Sequence, residues 1–223
     1  MTDDLKLMSL EGNRKIARLL SYFDGVAADA VFDVLDDADM RGLLELFQKE
    51  RWGLFDWFPL EEGPSRWRVQ LHKLADKRPR RRIREFFGYD HRRCDELYAD
   101  LENAAYDGER DNAKKIFDRF IKAMHHHFKM EEEGFFPVFE EVTGMTQGPP
   151  MVMRMEHEQM RGIFKQMELH VQKGDLEGLL RAGSTLLLVM QQHNIKEEQM
   201  LYSMADNQLG AKADEYLKVW QRI

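Results

Sequence analysis

The sequence predicts two units of different class. A small α+β domain spans residues 1–75 and, after a basic linker at 76–84, an all-α up-down four-helix bundle spans 85–223 and ends in a short helix. Three observations predict this. Residues 65–73, SRWRVQLHK, alternate apolar and polar, which is the period of a half-buried strand. Beyond residue 82 the apolar spacing changes to threes and fours and stays there. Gly108, Gly174 and the stretch TGMTQGPP at 143–150 cut that helical sequence into long pieces with short connections, which imply antiparallel neighbours.

Taken in order, Ile16, Leu19, Leu20 and Phe23 follow helical spacing, as do Leu43, Leu44 and Phe47. Between and after them, AVFDVL (30–35) and LFDWFPL (54–60) are short, aromatic or β-branched, and bounded by Asp, Gly and Pro, so they read as strands beside the one at 65–73. Two helices covering one face of a short sheet is the arrangement expected of such a set. The segment KRPRRRIR (77–84) reads as a solvated linker running into a helix start, with a docking patch for an acidic partner as the other reading. Helices are then expected at 82–106, 111–143, 151–172 and 175–207, with a short one after 211.

The bulk properties narrow the function. The net charge of -7 argues against a general nucleic-acid binder, whose affinity rests on neutralising phosphates. Charged residues make up 33% of the chain and no apolar run has the length of a membrane span, so a membrane protein is not expected. The start, MTDDLKLMSL, lacks the layout of a secretory signal, and one cysteine, Cys94, excludes an internal disulfide framework. A cytoplasmic location is the expectation.

The helical half repeats internally at an offset of 66 residues. Asp90-His91 aligns with Glu156-His157, Gly108 with Gly174, His127 with His193, Glu131-Glu132 with Glu197-Glu198, and Phe136 with Tyr202. Each half thus carries a histidine on its first helix and a His-x-x-x-Glu on its second. These residues fall on the apolar stripes. Phe117, Phe120, Met124, His127, Glu131 and Phe135 share one helix face, and Leu186, Met190, His193, Glu197 and Leu201 share another. Phe87, His91, Cys94, Leu97 and Leu101 mark a third, and Met153, His157, Met160, Phe164 and Met167 the fourth.

Four imidazoles and two carboxylates in an apolar interior are costly unless something compensates them, and a pair of metal ions would. Nitrogen and carboxylate donors without a thiolate cluster suit iron or manganese, and zinc is also compatible. On the same helix His125 and His126 lie about 200° and about 100° from His127, so they are expected at the solvent face or behind the ligands, as are Glu132 and Glu133. Asp90 and Glu156 either orient neighbouring groups or lie exposed, Asp95 is expected to stand behind the histidines, and Cys94 to fill the core. A zinc-protease HExxH reading of His157-Glu158 fails because Arg161 stands where the second histidine is required.

The motifs YDHRRCDEL, HFKMEEEGFFP, RMEHEQM and HNIKEEQMLY, over residues 82–208, resemble the hemerythrin-like, HHE cation-binding family. The resemblance implies a four-helix bundle with two non-haem iron ions that bind oxygen, nitric oxide or a related small oxidant. Carried over residue by residue, the ligands are His91, His127, Glu131, His157, His193 and Glu197. Two features depart from oxygen-carrying hemerythrin. Arg161 replaces a second histidine of the third helix, and the fourth helix offers both Glu197 and Glu198, of which the repeat selects Glu197. Fewer histidines favour a sensor or a redox-reactive centre over reversible oxygen carriage. The alternative is an enzyme that reduces nitric oxide or peroxide, or an iron donor in the repair of damaged iron centres.

The first unit, from FDGVAADAVFDVLDDADM to SRWRVQLHK, resembles a small sulfurtransferase-like (TusA-like) domain that accompanies bacterial hemerythrin-like domains. Where that family has Asp-His-Asp-Pro, this chain has Asp36-Asp37-Ala38-Asp39, and with no cysteine in this half, persulfide transfer by a thiol is excluded. A protein partner acting through this unit is the expectation.

Overall fold

A computed structural model of the chain describes residues 4–51, 53–75 and 82–220. The chain divides into two compact units, 1–81 and 82–223. Most of the basic segment read as a linker, residues 76–81, lies outside the described residues, whereas Ile83 and Arg84 already belong to a helix.

The first unit runs β1 (Leu5–Lys6), α1 (Asn13–Gly25), β2 (Val31–Asp36), α2 (Arg41–Arg51), β3 (Phe55–Glu61) and β4 (Trp67–Lys73). The sheet order is β1-β2-β4-β3. Strand β1 was not foreseen. Two residues give no alternation to read, and it exists because it lies parallel on β2, with Leu5 opposite Val34. Strands β2 and β3 both flank β4 antiparallel, and a register shift between Pro59 and Glu61 on β3 fits a proline on an edge strand, where no ladder donor is needed. One sheet face carries Phe32, Val34, Phe55, Trp57, Val69 and Leu71, and it buries with Leu19 and Phe23 of α1 and Leu44 and Phe47 of α2 in one apolar cluster. The alternation of Trp67, Val69 and Leu71 is the sequence signal for that face.

The second unit is helical: α3 (Ile83–Tyr106), α4 (Arg110–Lys129), a π-helical turn (Met130–Phe135), α5 (Phe136–Thr143), α6 (Pro149–Lys173), α7 (Leu176–Lys196), a second π-helical turn (Glu197–Leu201), α8 (Tyr202–Leu209), a 3-10 turn (Gly210–Lys212) and α9 (Ala213–Trp220). It forms two hairpins, α3 with α4–α5 and α6 with α7–α8. Both hairpin turns use a left-handed glycine, Gly108 (φ 76°) and Gly174 (φ 65°), a conformation that a side chain would strain. Asp175 caps α7 by accepting the Gly178 N–H at 2.9 Å.

The expected helices 111–143 and 175–207 are each interrupted by a π turn at the second member of the repeat. A π turn closes i→i+5, and here the Phe136 N–H donates to the Glu131 carbonyl and the Tyr202 N–H to the Glu197 carbonyl. Heptad-like spacing cannot reveal a one-residue insertion, which is why both were read as unbroken helix. The insertion sets residue i+5 over each glutamate and turns Phe136 and Tyr202 into the interior, both 0% exposed.

An apolar core of Leu97, Leu101, Phe120, Met160, Met167 and Leu186, among others, fills one end of the bundle. Toward the other end, Phe87, Phe135, Tyr202 and Trp220 stack with centroids 5.1–6.1 Å apart, and α9 brings Trp220 onto Phe87 and Phe135. The polar residues lie between these two apolar layers. No described helix is long and apolar enough to cross a membrane.

Candidate metal centre

All six residues predicted as ligands meet in one pocket, and none is more than 3% exposed. The Nε2 atoms of His91 and His127 face each other at 3.1 Å, and those of His157 and His193 at 3.2 Å. Glu131 Oε2 lies 3.4 Å from His127 Nε2 and 3.2 Å from His157 Nε2. Glu197 Oε2 lies 3.2 Å from His193 Nε2 and 3.3 Å from His91 Nε2. Each carboxylate therefore reaches one histidine of its own hairpin and one of the other.

The opposite ring nitrogens are all engaged. Nδ1 of His91 faces Glu198 at 2.8 Å, of His127 Asp90 at 2.9 Å, of His157 Glu132 at 2.7 Å, and of His193 Glu156 at 2.9 Å. A neutral imidazole whose Nδ1–H donates to a carboxylate presents its Nε2 lone pair, so once deprotonated all four rings can turn a lone pair toward the same point. Asp90 in turn accepts from Arg93 at 2.7 Å, and Glu132 from Arg161 at 2.8 Å.

Glu197 and Glu198 point in different directions. Glu197 faces into the pocket, and Glu198 holds His91 from behind. Of the two readings open for Asp90 and Glu156, the structure shows both behind histidines, and Glu132 and Glu198 stand there too. Asp95 does not join them, since its buried Oδ1 accepts no hydrogen bond and each Nδ1 is taken by another carboxylate. Cys94 is buried in the apolar core. His125 and Glu133 are exposed and His126 is half-buried. The His125→Ala variant is expected to keep its full metal content by elemental analysis, and a large loss would mean that the helix face is wrongly assigned.

The carboxylates set the charge on the imidazoles. Burial works against the charged form of His91, but the Glu197 and Glu198 carboxylates overcome it and push the imidazolium up to about 9. Burial likewise opposes charge on His193, yet Glu197 and Glu156 push it up to about 10. His157 is raised against its burial by Glu131 and Glu132. Burial would raise the Glu197 carboxyl, and His193 and His91 instead hold it well below the usual range. Without a cation, protons on the imidazoles thus balance the carboxylates.

A metal ion fits this donor set. Glu197 Oε1 is fully enclosed and accepts no hydrogen bond, and Glu131 Oε2, also enclosed, has only the misaligned Nε2 atoms of His127 and His157 at 3.4 and 3.2 Å, a costly state for carboxylate oxygens. Donors about 2.1 Å from one ion and about 90° apart lie about 3.0 Å from each other, close to the spacing of each histidine pair. Two overlapping sets have donor atoms within 4.8 Å of one another: Glu131, His157, His193 and Glu197, and His91, His127 and Glu197.

Tyr202 was seen in the sequence only as the repeat partner of Phe136. Its hydroxyl donates to Glu131 Oε1 at 2.6 Å, with Glu197 Oε2 at 3.0 Å and His91 Nε2 at 3.4 Å. Burial, and then the charges of Glu131 and Glu197, hold the phenol well above its ordinary pKa, so it remains a donor. The signal was available, because a phenylalanine-for-tyrosine difference sits beside otherwise matched polar positions.

Among known proteins, the family model described as the hemerythrin HHE cation binding domain matches residues 82–205. Neither the curated proteins nor the solved structures include a significant match. The matched span coincides with the two hairpins that bring four histidines and two glutamates together, and the chain belongs to the hemerythrin HHE cation-binding family.

Proposed function

We propose that the helical unit holds a pair of non-haem iron ions through His91, His127, Glu131, His157, His193 and Glu197 and binds oxygen, nitric oxide or a related small oxidant, serving sensing or the redox stress response. The observation that carries this reading is the pair of enclosed, unsatisfied carboxylate oxygens, Glu131 Oε2 and Glu197 Oε1, set among four inward Nε2 atoms. Iron bound there would supply a redox-active Lewis acid. Manganese or zinc would satisfy the same donors.

The residues around the pocket have separable tasks. Glu131 and Glu197 each span the two histidine pairs and so neutralise positive charge on both sides. Glu198, Asp90, Glu132 and Glu156 fix the imidazole tautomers. Phe87, Phe135 and Trp220 exclude water from one end and leave an apolar surround suited to a small uncharged ligand. Arg161, where oxygen-carrying hemerythrin has a histidine, is held by Glu158 at 2.6 Å and by Glu132, and it contributes charge behind His157 rather than a donor in the pocket. We assign signal transfer to a protein partner to the N-terminal unit on the strength of its resemblance alone.

Elemental analysis of protein purified without oxygen tests the reading, followed by visible spectra before and after adding oxygen. Iron at two per chain, with a charge-transfer band that appears with oxygen and reverses on its removal, is the expected result. Steady consumption of nitric oxide or peroxide with an added reductant would move the assignment to the enzyme reading. Protein that retains no metal would remove it.

A further inference from the structure

The two halves of the pocket match in their histidines, their glutamates and the carboxylates behind them. They differ in what stands beside them. Tyr202 lies 5.8 Å from the His91 ring, centroid to centroid, and its repeat partner Phe136 lies 5.9 Å from the His157 ring. Phe128 stacks on His157 at 3.9 Å and 19°, and the matching position in the other half is Asn194. Both halves touch aromatic hydrocarbon, since Phe87 also packs edge-on against His127 at 5.7 Å, but only the His91–His127 half has a phenol hydroxyl beside a ring nitrogen.

The donor sets differ in the same sense. Both glutamates join His157 and His193 with all donor atoms within 4.8 Å of one another, whereas the matching set around His91 and His127 has Glu197, and Glu131 meets that half only at His127, 3.4 Å away. The Tyr202 hydroxyl donates to Glu131 Oε1 at 2.6 Å and lies 3.0 Å from Glu197 Oε2, an oxygen that faces both His91 and His193, but the one imidazole nitrogen it reaches is His91 Nε2, at 3.4 Å. A carboxylate oxygen that accepts a hydrogen bond is a weaker donor to a cation, and a cation that displaces the bond must offset its loss.

Building on the metal-binding reading above, we propose that the two metal positions are inequivalent and that Tyr202 is the positioning residue that separates them: a divalent cation loads first between His157 and His193 with both glutamates, and second between His91 and His127, where it competes with the Tyr202 hydroxyl for carboxylate oxygens. The chain thus has a state with one ion, held at a defined position, between its empty and filled forms. In this state the His91 half keeps its hydroxyl and its uncommitted histidines.

The test is an anaerobic titration of the metal-free, full-length protein with cobalt(II), followed by calorimetry and by visible absorption, which reports the donor set of each ion. Two steps more than about tenfold apart in Kd, or about 1.4 kcal/mol, with different spectra, are expected. In Tyr202→Phe the second step should tighten until the two lie within about threefold and the spectra converge. His91→Ala should abolish the weaker step and His157→Ala the tighter one, and this pair keeps the order testable even if Tyr202→Phe does not fold. Two indistinguishable steps in the unaltered protein, an unchanged gap in Tyr202→Phe, or the reverse pattern in the histidine variants would each overturn the inference while leaving metal binding intact. No cobalt uptake at all would overturn the metal-binding reading itself.

Discussion

Glu131→Ala is expected to strip metal from both halves of the pocket. Glu131 Oε2 stands 3.4 Å from His127 Nε2 and 3.2 Å from His157 Nε2, so its removal takes a donor from each histidine pair and leaves four imidazoles with one carboxylate. Metal content by elemental analysis should fall to a small fraction of that of the unaltered protein. Stability should follow by linkage. A cation at a hundredfold excess over its Kd stabilises the folded state by about 2.7 kcal/mol, which for a unit of this size is roughly 10 °C in Tm. That metal-dependent shift should be present in the unaltered protein and absent from the variant. Unchanged metal stoichiometry would sink the ligand assignment.

The same site predicts a pH dependence. His91 and His193 are held protonated up to about 9 and about 10 in the metal-free protein, and a protonated imidazole does not bind a cation. Metal uptake must therefore release protons, and the apparent affinity should climb as pH rises toward 9. A flat profile between neutral pH and that value would contradict the pairing of His91 with Glu197 and Glu198.

Asp90→Asn is expected to have the second large effect, on folding before metal. Asp90 is 0% exposed, accepts from buried Arg93 at 2.7 Å and faces His127 Nδ1 at 2.9 Å. Removing one partner of a buried ion pair leaves the other uncompensated and costs about 3 kcal/mol or more. With a urea m-value of about 2 kcal/mol/M, the midpoint followed by helical circular dichroism should drop by roughly 1.5 M. The acid limb supplies a check. Burial would raise the Asp90 carboxyl, but Arg93 and His127 pull it well below the usual range. Its contribution is therefore complete above the unfolded pKa, about 3.9, and fades as pH falls through the folded value. The gap between the unaltered protein and Asp90→Asn should be constant at neutral pH and close in acid.

Much of this was legible in the sequence because the bundle states its chemistry twice. Periodicity alone put His91, His127, Glu131, His157, His193 and Glu197 on inward stripes, and the offset of 66 residues paired them. The carboxylates behind the rings were harder to see. Glu132 and Glu198 are one residue past Glu131 and Glu197, on a face that ideal helix geometry turns outward, and a π turn lets both residues of each pair face the histidines. Strand β1 left no trace because two residues carry no period, and its place depends on β2. The inward turn of Tyr202 depends on the second π turn, which a strict spacing of threes and fours cannot represent.

The carboxylate contacts have one more consequence. Asp90 with His127 and Glu156 with His193 close within a hairpin, whereas Glu132 with His157 and Glu198 with His91 cross from one hairpin to the other in mirrored fashion. A contact in which residue i of one part meets j of the other, and j meets i, is the mark of an isologous two-fold interface. The bundle is in this sense a dimer written on one chain, with residues 144–148 as its tether. Covalent continuity there sets the local concentration of one hairpin around the other but adds no donor to the pocket. The connection is the place where the chain could be cut or the order of the hairpins exchanged with the six inward residues still able to meet.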